Sequence, residues 1–293
     1  MVTRRTFIKS CLIFVPTIAG AQLASAPCRR QAFQSSALSA EPELSDWVSR
    51  VQGRGSDVTG AGVQAAVADF IIGLKTDGLW TRAYRIGVYA GDTLAALEAP
   101  LLRTAGAAID TMFGFTAGNY SVTGLTGGAG LHIKTGFDAS MMSSLNDFSM
   151  GVYLRASPGA MLMGCQGNGS SNGCYLYHDA SHAECSMWGN GTPATGSDAG
   201  GTGFILATRI ASNDLRIFRN GTQVGSTQTS PGSTSNLLEF FVHDAYLNDG
   251  GTNWAPTSQS ISHYWFGKGC DGTQQGNLQN RVQTLQAAFS RQV

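Results

Sequence analysis

From about Phe113 onward, apolar residues recur at every second position in short runs broken by Gly/Asn/Ser clusters. Phe148, Met150, Val152 and Leu154 alternate cleanly, as do Phe204, Leu206 and Ile210. Leu131, Ile133 and Phe137 share a face with Thr135 between them, and Ile261, His263 and Trp265 oppose Tyr264 and Phe266. A period of two sends alternate side chains to opposite faces of a strand, whereas a helix needs 3.6. Segments such as Gly167-Asn168-Gly169-Ser170-Ser171-Asn172-Gly173 and Gly189-Asn190-Gly191 supply the turns between runs. Glycine is 38 of 293 residues, roughly 13% against an average of ~7%, as a chain of many tight turns requires. Many short strands so punctuated predict a sandwich or barrel.

The flanks follow another period. Between Leu44 and Glu98 the pattern is helical: Leu44, Val48 and Val51 fall at i, i+4, i+7. Thr59 can cap a helix whose stripe is Val63, Val67, Phe70, Ile71 and Leu74, stopped by Asp77-Gly78. Asp92 can cap a short helix through Leu94 and Leu97 that ends before Pro100. Leu278, Val282, Leu285 and Phe289 predict a last helix, with Asp271 or Thr273 as caps. These stripes read as packing faces, and no repeat of fixed period is present.

Charge narrows the function. Lys+Arg and Asp+Glu are 19 each, and charged residues make up 13% against roughly 25% in an average soluble protein. With no basic excess to displace counterions, nucleic-acid binding by bulk charge is excluded. A hydrophobic fraction of 42% argues against wholesale disorder. The chain opens Thr3-Arg4-Arg5-Thr6-Phe7-Ile8-Lys9, followed by an apolar stretch from Cys11 to Ala24 and then Ala24-Ser25-Ala26. A basic start, a short apolar core and a small-x-small site predict an export signal over 1–26, and Arg4-Arg5 resembles the twin-arginine form. Pro27 disfavours cleavage after Ala26, so cleavage after Ala21 or retention of the segment stays open. A flexible leader is expected over 27–42, and Cys28 after Pro27 makes a poor lipoprotein cysteine. No other apolar run reaches membrane length. The expected location is exported: periplasmic, extracellular or surface-associated.

The run Asp214-Leu215-Arg216-Ile217-Phe218-Arg219-Asn220-Gly221-Thr222-Gln223-Val224-Gly225 reads as a β-hairpin, because Asn-Gly accommodates the two positive φ angles of a type I′ turn. It follows a strand over 203–211 and a polar turn at Ser212-Asn213. With earlier strands over 147–155, 160–166, 174–178 and 184–188 and a late one over 260–267, this order resembles the laminin-G-like, concanavalin A-like lectin–glucanase jelly rolls. The resemblance covers roughly residues 113–270. It implies a two-sheet antiparallel sandwich and either glycan cleavage or glycan binding, with calcium at a sandwich edge in some members.

Carboxylates separate those two outcomes. The glucanases of the family carry a Glu-x-Asp-x-(x)-Glu strand, and retaining glycosidases need two carboxyls about 5–5.5 Å apart. The five glutamates here are Glu41, Glu43, Glu98, Glu184 and Glu239, and none in the β region has an acidic residue two positions away. No catalytic residue is therefore assigned. His178 and His182, at i, i+4, flank a turn and read as polar loop residues before a metal pair. Cys165 and Cys174 are symmetric about Gly169-Ser170, and Cys174 and Cys185 about the turn at 179–181. Simple hairpins would set the three thiols side by side, so one disulfide among them is expected, with three buried thiols as the alternative.

Sugars are held by aromatic faces ringed by hydrogen-bonding groups, and a chain of low charge has few ionic alternatives. Tyr175, Tyr177 and Trp188 in the middle strands and Trp254 in the loop at 248–257 are the aromatic candidates. Tyr177, Trp188 and Trp254 are assigned as stacking residues, with His178 and Asn190 as hydrogen-bonding neighbours. No cofactor is required. Asp244, Asn248 and Asp249 form the oxygen-rich cluster suited to calcium.

The expected chain is thus mainly β. A helical subdomain spans 43–112, a concanavalin A-like jelly roll 113–270 and a C-terminal helix 271–293. Its expected role is an exported, non-catalytic module recognising a polysaccharide or surface glycan, with no nucleic-acid partner and no membrane span beyond the signal. A glycan-cleaving enzyme with a non-standard dyad, and a structural or adhesive part of a cell-surface or phage-tail assembly, are the alternatives.

Overall fold

The computed structural model describes residues 41–58, 60–155, 160–166, 173–179, 181–188, 193–198, 200–230, 237–247 and 259–293. The export signal with Arg4 and Arg5, the leader up to residue 40, and Thr59 as a cap lie outside them, while Glu41 and Pro42, expected in the leader, open the first helix. Among the described residues three helices, α1 (Pro42–Gly53), α2 (Ala61–Thr76) and α3 (Gly272–Ala288), flank seventeen strands. Before the first long hairpin come β1 (Ala83–Val88), β2 (Leu102–Arg103), β3 (Thr111–Phe113), β4 (Tyr120–Ser121), β5 (Gly124–Thr126) and β6 (His132–Lys134). The middle of the chain supplies β7 (Phe148–Leu154), β8 (Ala160–Gln166), β9 (Cys174–His178), β10 (His182–Met187) and β11 (Ala194–Ser197). There follow β12 (Gly203–Ala211), β13 (Asp214–Arg219), β14 (Thr222–Gln228), β15 (Phe241–Val242), β16 (Ala245–Leu247) and β17 (Ser260–Gly267).

The strands form two sheets packed face to face. Sheet A runs β14-β13-β12-β7-β17-β1-β2, with β5 on β17 and β4 on β5. Sheet B runs β11-β10-β9-β8-β15-β6-β3, and β16 adds a short parallel pairing to β8. The mainly-β, two-sheet antiparallel sandwich with helices at both ends of the described chain is the architecture that the alternation predicts. At the β13–β14 turn, Asn220 (φ 47°) and Gly221 (φ 83°) take the two left-handed positions of a type I′ turn. The edge strands β11 and β14 of opposite sheets meet at Gly196 and Gly225, where an added Cβ would collide with backbone.

Two apolar layers result. Between the sheets lie Phe137, Phe148, Met150, Leu176, Phe240, Tyr264 and Phe266. Between sheet A and the helices lie Trp47, Val67, Phe70, Leu74, Tyr153, Phe204, Leu206, Trp265, Leu278 and Val282. Strand β7 feeds both: its even positions face the sandwich and Tyr153 faces the helices, so all seven residues are buried. The α3 N-terminus is closed by the Asp271–Gln274 capping box.

Three expectations need correction. The boundary at 112/113 is not structural: β1 lies inside sheet A between β17 and β2, with all six residues buried. A strand covered on both faces shows no polar alternation, which is why Ala83–Val88 passed as part of a helical unit. Likewise Ile261, His263 and Trp265 do not share one face. A bulge between Ile261 and His263 resets the alternation, leaving Ile261 in the sandwich core and Trp265 under the helices. The short helix near Pro100 is a 3-10 turn, Leu94–Glu98, capped by Thr93 instead of Asp92.

One deeply buried charge is paired with an acid. Arg85, fully buried, donates from Nε (2.9 Å) and Nη2 (2.6 Å) to Asp110 Oδ1, and the Tyr264 hydroxyl donates to Asp110 Oδ2 at 2.6 Å. Such a triad holds its geometry only while complete, since losing one partner strands the others.

Candidate functional site

The two outer faces of the sandwich differ. Helices cover sheet A, whereas the outer face of sheet B over β9 and β10 displays a set of polar and aromatic side chains. On β9, Cys174 and Leu176 point into the sandwich core, so alternation turns Tyr175 and Tyr177 outward. On β10, Ala183, Cys185 and Met187 point in, and His182, Glu184 and Ser186 point out. Tyr177 stands directly opposite Glu184, and Tyr175 opposite Ser186. Met161 and Ala245 pack against the two rings from the β8 side.

The polar groups form a chain of contacts. The Tyr175 hydroxyl donates to Glu184 Oε1 at 2.5 Å. His182 Nε2 faces Glu184 Oε2 at 3.7 Å, and its Nδ1 lies 2.7 Å from Asp179 Oδ2. The Tyr177 hydroxyl donates to Asp179 at 3.3 Å, and its ring centroid is 5.5 Å from that of His182. Asp179 also closes the turn: its Oδ1 accepts from the amides of Ser181 (2.8 Å) and His182 (2.9 Å) and from the Ser181 hydroxyl (3.0 Å). Those bonds, the Ser181 amide foremost, hold its carboxyl well below the usual carboxylate range. Burial and the neighbouring carboxylates push both tyrosine phenols up, so they stay protonated donors at neutral pH.

Of the residues assigned from sequence, Tyr177 is placed on this face and half-buried. Trp188 is not. It is fully buried between Phe148 (centroids 5.4 Å) and Phe240 (5.7 Å, edge-on). Strict alternation from Glu184 and Ser186 would turn it outward, but its φ of 49° breaks the strand and swings the indole into the core. His178 is also inward and fully buried, as the neighbour of an outward Tyr177 must be. Its Nε2 accepts from Arg219 Nη2 at 2.8 Å, beside Asp198, which is 2.9 Å from the same guanidinium. Burial, then the Arg219 charge, lower its pKa, and the trio ties β9 to β13. His178 and His182 therefore face opposite sides and form no metal pair.

Trp254, Asn190, Asn248 and Asp249 lie outside the described residues. Asp244 is buried, with Oδ1 accepting from the Ala245 amide at 2.8 Å. No group of three His, Cys, Asp or Glu suited to a metal occurs among the described residues. The cysteine geometry is half as expected. Cys165 stands directly opposite Cys174, but Cys185 opposes Leu176, because the β9–β10 register sets Cys174 against Met187. The described cysteines are thiols, and burial raises the pKa of all four, that of Cys270 to about 11.

Asp179, His182 and Glu184 were missed as a set. The signal was the turn register: a loop centred one residue later than assumed puts Glu184 across from Tyr177. Recesses lie elsewhere in the molecule. A cleft of about 380 Å³ between α2 and α3 is lined by Ala66, Phe70, Gly73 and Leu285, and its Arg281 is already held by Asp77 at 2.7 Å.

No protein-family model matches the chain, and no curated protein matches its sequence. Among solved structures it is similar to the botulinum neurotoxin serotype D binding domain, with a TM-score of 0.48 and 10% identity over 68% of this chain and 51% of that one. A binding domain of botulinum neurotoxin DC in complex with rat synaptotagmin II gives a TM-score of 0.39 at 12% identity, over 60% of this chain and 43% of that one. Trypanosoma rangeli sialidase in complex with sialic acid gives 0.44 at 10% identity, over 67% of this chain and 32% of that one. The chain thus spans about half the length of the toxin domains and a third of the sialidase. No helix among the described residues is long and apolar enough to cross a membrane.

Proposed function

We propose that this chain is an exported glycan-recognition module of the concanavalin A-like, laminin-G-like class, binding through the outer face of sheet B. The observation that carries this reading is Tyr177. An outward ring half-exposed on a rigid sheet, bordered by the carboxylates of Asp179 and Glu184 and the imidazole of His182, offers a sugar an apolar face and hydrogen-bond acceptors at once. The rings need no folding on contact, because strand pairing and Met161 already fix them.

Binding is favoured over cleavage because the sequence carries no Glu-x-Asp-x-(x)-Glu strand of the kind the glucanases of that class use. The export part of the proposal rests on Arg4-Arg5 and the apolar stretch after them. Changing both arginines to lysine should leave precursor in the cytoplasm, and unchanged export would contradict a twin-arginine signal.

A glycan array probed with the full chain tests the binding reading. The expected result is capture of at least one oligosaccharide without turnover, weakened tenfold or more by Tyr177→Ala while the variant stays folded. Capture of none, or equal capture by the variant, would overturn it.

A further inference from the structure

Of the four arginines buried among the described residues, two face an acid: Arg85 is paired with Asp110 at 2.6 Å and Arg219 with Asp198 at 2.9 Å. Arg209 and Arg291 have none. Arg209 is sealed in the fold beside Cys174 and Cys185, whereas Arg291, 5% exposed, borders a cleft of about 340 Å³. The Arg291 guanidinium lies 5.1 Å from the Phe289 ring centroid and donates to Tyr89 O at 2.5 Å and to Val122 O. The titratable groups that act on it are the Tyr120 phenol and a second cation, Arg155, and burial lowers its pKa. A buried cation held only by neutral oxygens leaves its charge unmatched.

Another wall of the same cleft is the first turn of α2, from which Gly62 and Val63 come. That turn has no side-chain cap and no acidic residue. The Val63 amide is taken by Gly60 O at 2.8 Å, while the Gly62 amide has no partner among the described residues. Free amides and the macrodipole make such a helix start attractive to an anion. Tyr120, Phe289 and Val122, the last 79% exposed, add apolar surface. Asp92 acts on Tyr120 but does not line the cleft, and its carboxylate is engaged by Ser56 and by the Asp57 amide at 3.0 Å. We propose that this cleft binds a small organic carboxylate. The anion meets the Arg291 guanidinium and the start of α2, and an apolar body lies on Val63, Val122 and Phe289. The cleft is separate from the sheet B face and does not depend on the glycan reading.

Benzoate, benzamide and sulfate separate the charge from the apolar body. Each is titrated by calorimetry into the full chain at neutral pH, in a buffer without other carboxylates. Benzoate should bind at least tenfold tighter than benzamide, which keeps the shape and loses the charge, and at least tenfold tighter than sulfate, which has no apolar body. Arg291→Gln should lose benzoate binding. Because Arg291 also ties the chain end to Tyr89 and Val122, a second variant keeps the test readable if that one unfolds. A Cβ added at Gly62 meets nothing within 4 Å. Gly62→Asp therefore sets a carboxylate on the start of α2, where the helix favours one, and should abolish benzoate binding while the melting temperature holds or rises. Benzamide bound as well as benzoate, benzoate bound undiminished by Gly62→Asp, or no benzoate binding at all would overturn the proposal. Sulfate as tight as benzoate would overturn it too, since a site for any anion has no use for the apolar wall.

Discussion

Sheet A and sheet B have equivalent inner faces and opposite outer ones. On sheet A the outward side chains Tyr153, Phe204, Leu206 and Trp265 are covered by α1, α2 and α3 and are essentially inaccessible. On sheet B the outward side chains of β9 and β10 are tyrosines, carboxylates and an imidazole, with His182, Asp179 and Glu184 each about a third exposed. The same period of two generates both faces, so what separates packing from recognition is which face the helices cover. On the sheet B face Tyr175 is itself buried against Met161, and Tyr177 is the half-buried ring beside it.

The sharpest break of that contrast comes from truncating one ring of each kind. Trp188→Ala should destabilise the protein by about 3–5 kcal/mol, because it empties a space walled by Phe148 and Phe240. Tyr177→Ala, which removes a half-buried ring packed on Met161, should cost no more than about 1 kcal/mol. Paired denaturant melts check this, and comparable losses at both positions would erase the distinction between the faces.

Acid probes the buried side next. His263, wedged by Phe70 and Phe204, and His243, against Phe115, are both fully buried, and burial lowers each to about 3; His132 falls to about 4 for the same reason. Their unfolded value is about 6.5, so the unfolded chain binds more protons below it. The stability they contribute is fully present above pH 6.5 and declines as pH falls from there towards 3, by up to about 1.4 kcal/mol per histidine per pH unit. Melting followed from pH 7.5 to 4.5 should show this decline, and His263→Gln or His243→Gln should flatten it. A flat profile in the parent would contradict the burial of these rings.

A smaller effect sharpens the register of sheet B. Refolding in a glutathione buffer should join Cys165 to Cys174, which face each other, and leave Cys185 alkylatable on unfolding. Closing so short a loop stabilises by roughly 2–3 kcal/mol in the chain-entropy picture. The folded, reduced protein should resist oxidation, since burial keeps these thiols protonated. Peptide mapping that pairs Cys174 with Cys185 would show the hairpin register to be wrong.

The sandwich was legible because its signals are local. Alternation in residues 148–154 and the Asn220-Gly221 turn each need only a few neighbours to act. Elsewhere a single backbone event, or a cover invisible to a local pattern, decides the face. Trp188 was placed outside because a left-handed residue cannot be seen in a run of alternating side chains. The bulge before His263 did the same to β17. Strand β1 was lost because helices hide the face that would have been polar. At the site itself, Tyr177 was legible as an outward ring. Asp179, His182 and Glu184 were not, because their convergence depends on where the β9–β10 turn begins, and a turn one residue off moves every cross-strand partner.

The central claim is that the open face of sheet B, at Tyr177, is where a ligand is held. Its most direct test is the thermal shift that the best glycan from the array produces in the parent chain and in Tyr177→Ala. At a hundred times its Kd, such a glycan should stabilise the parent by about 2.7 kcal/mol and leave Tyr177→Ala, read against its own ligand-free melt, unshifted. An undiminished shift in Tyr177→Ala would place the ligand elsewhere and contradict the account.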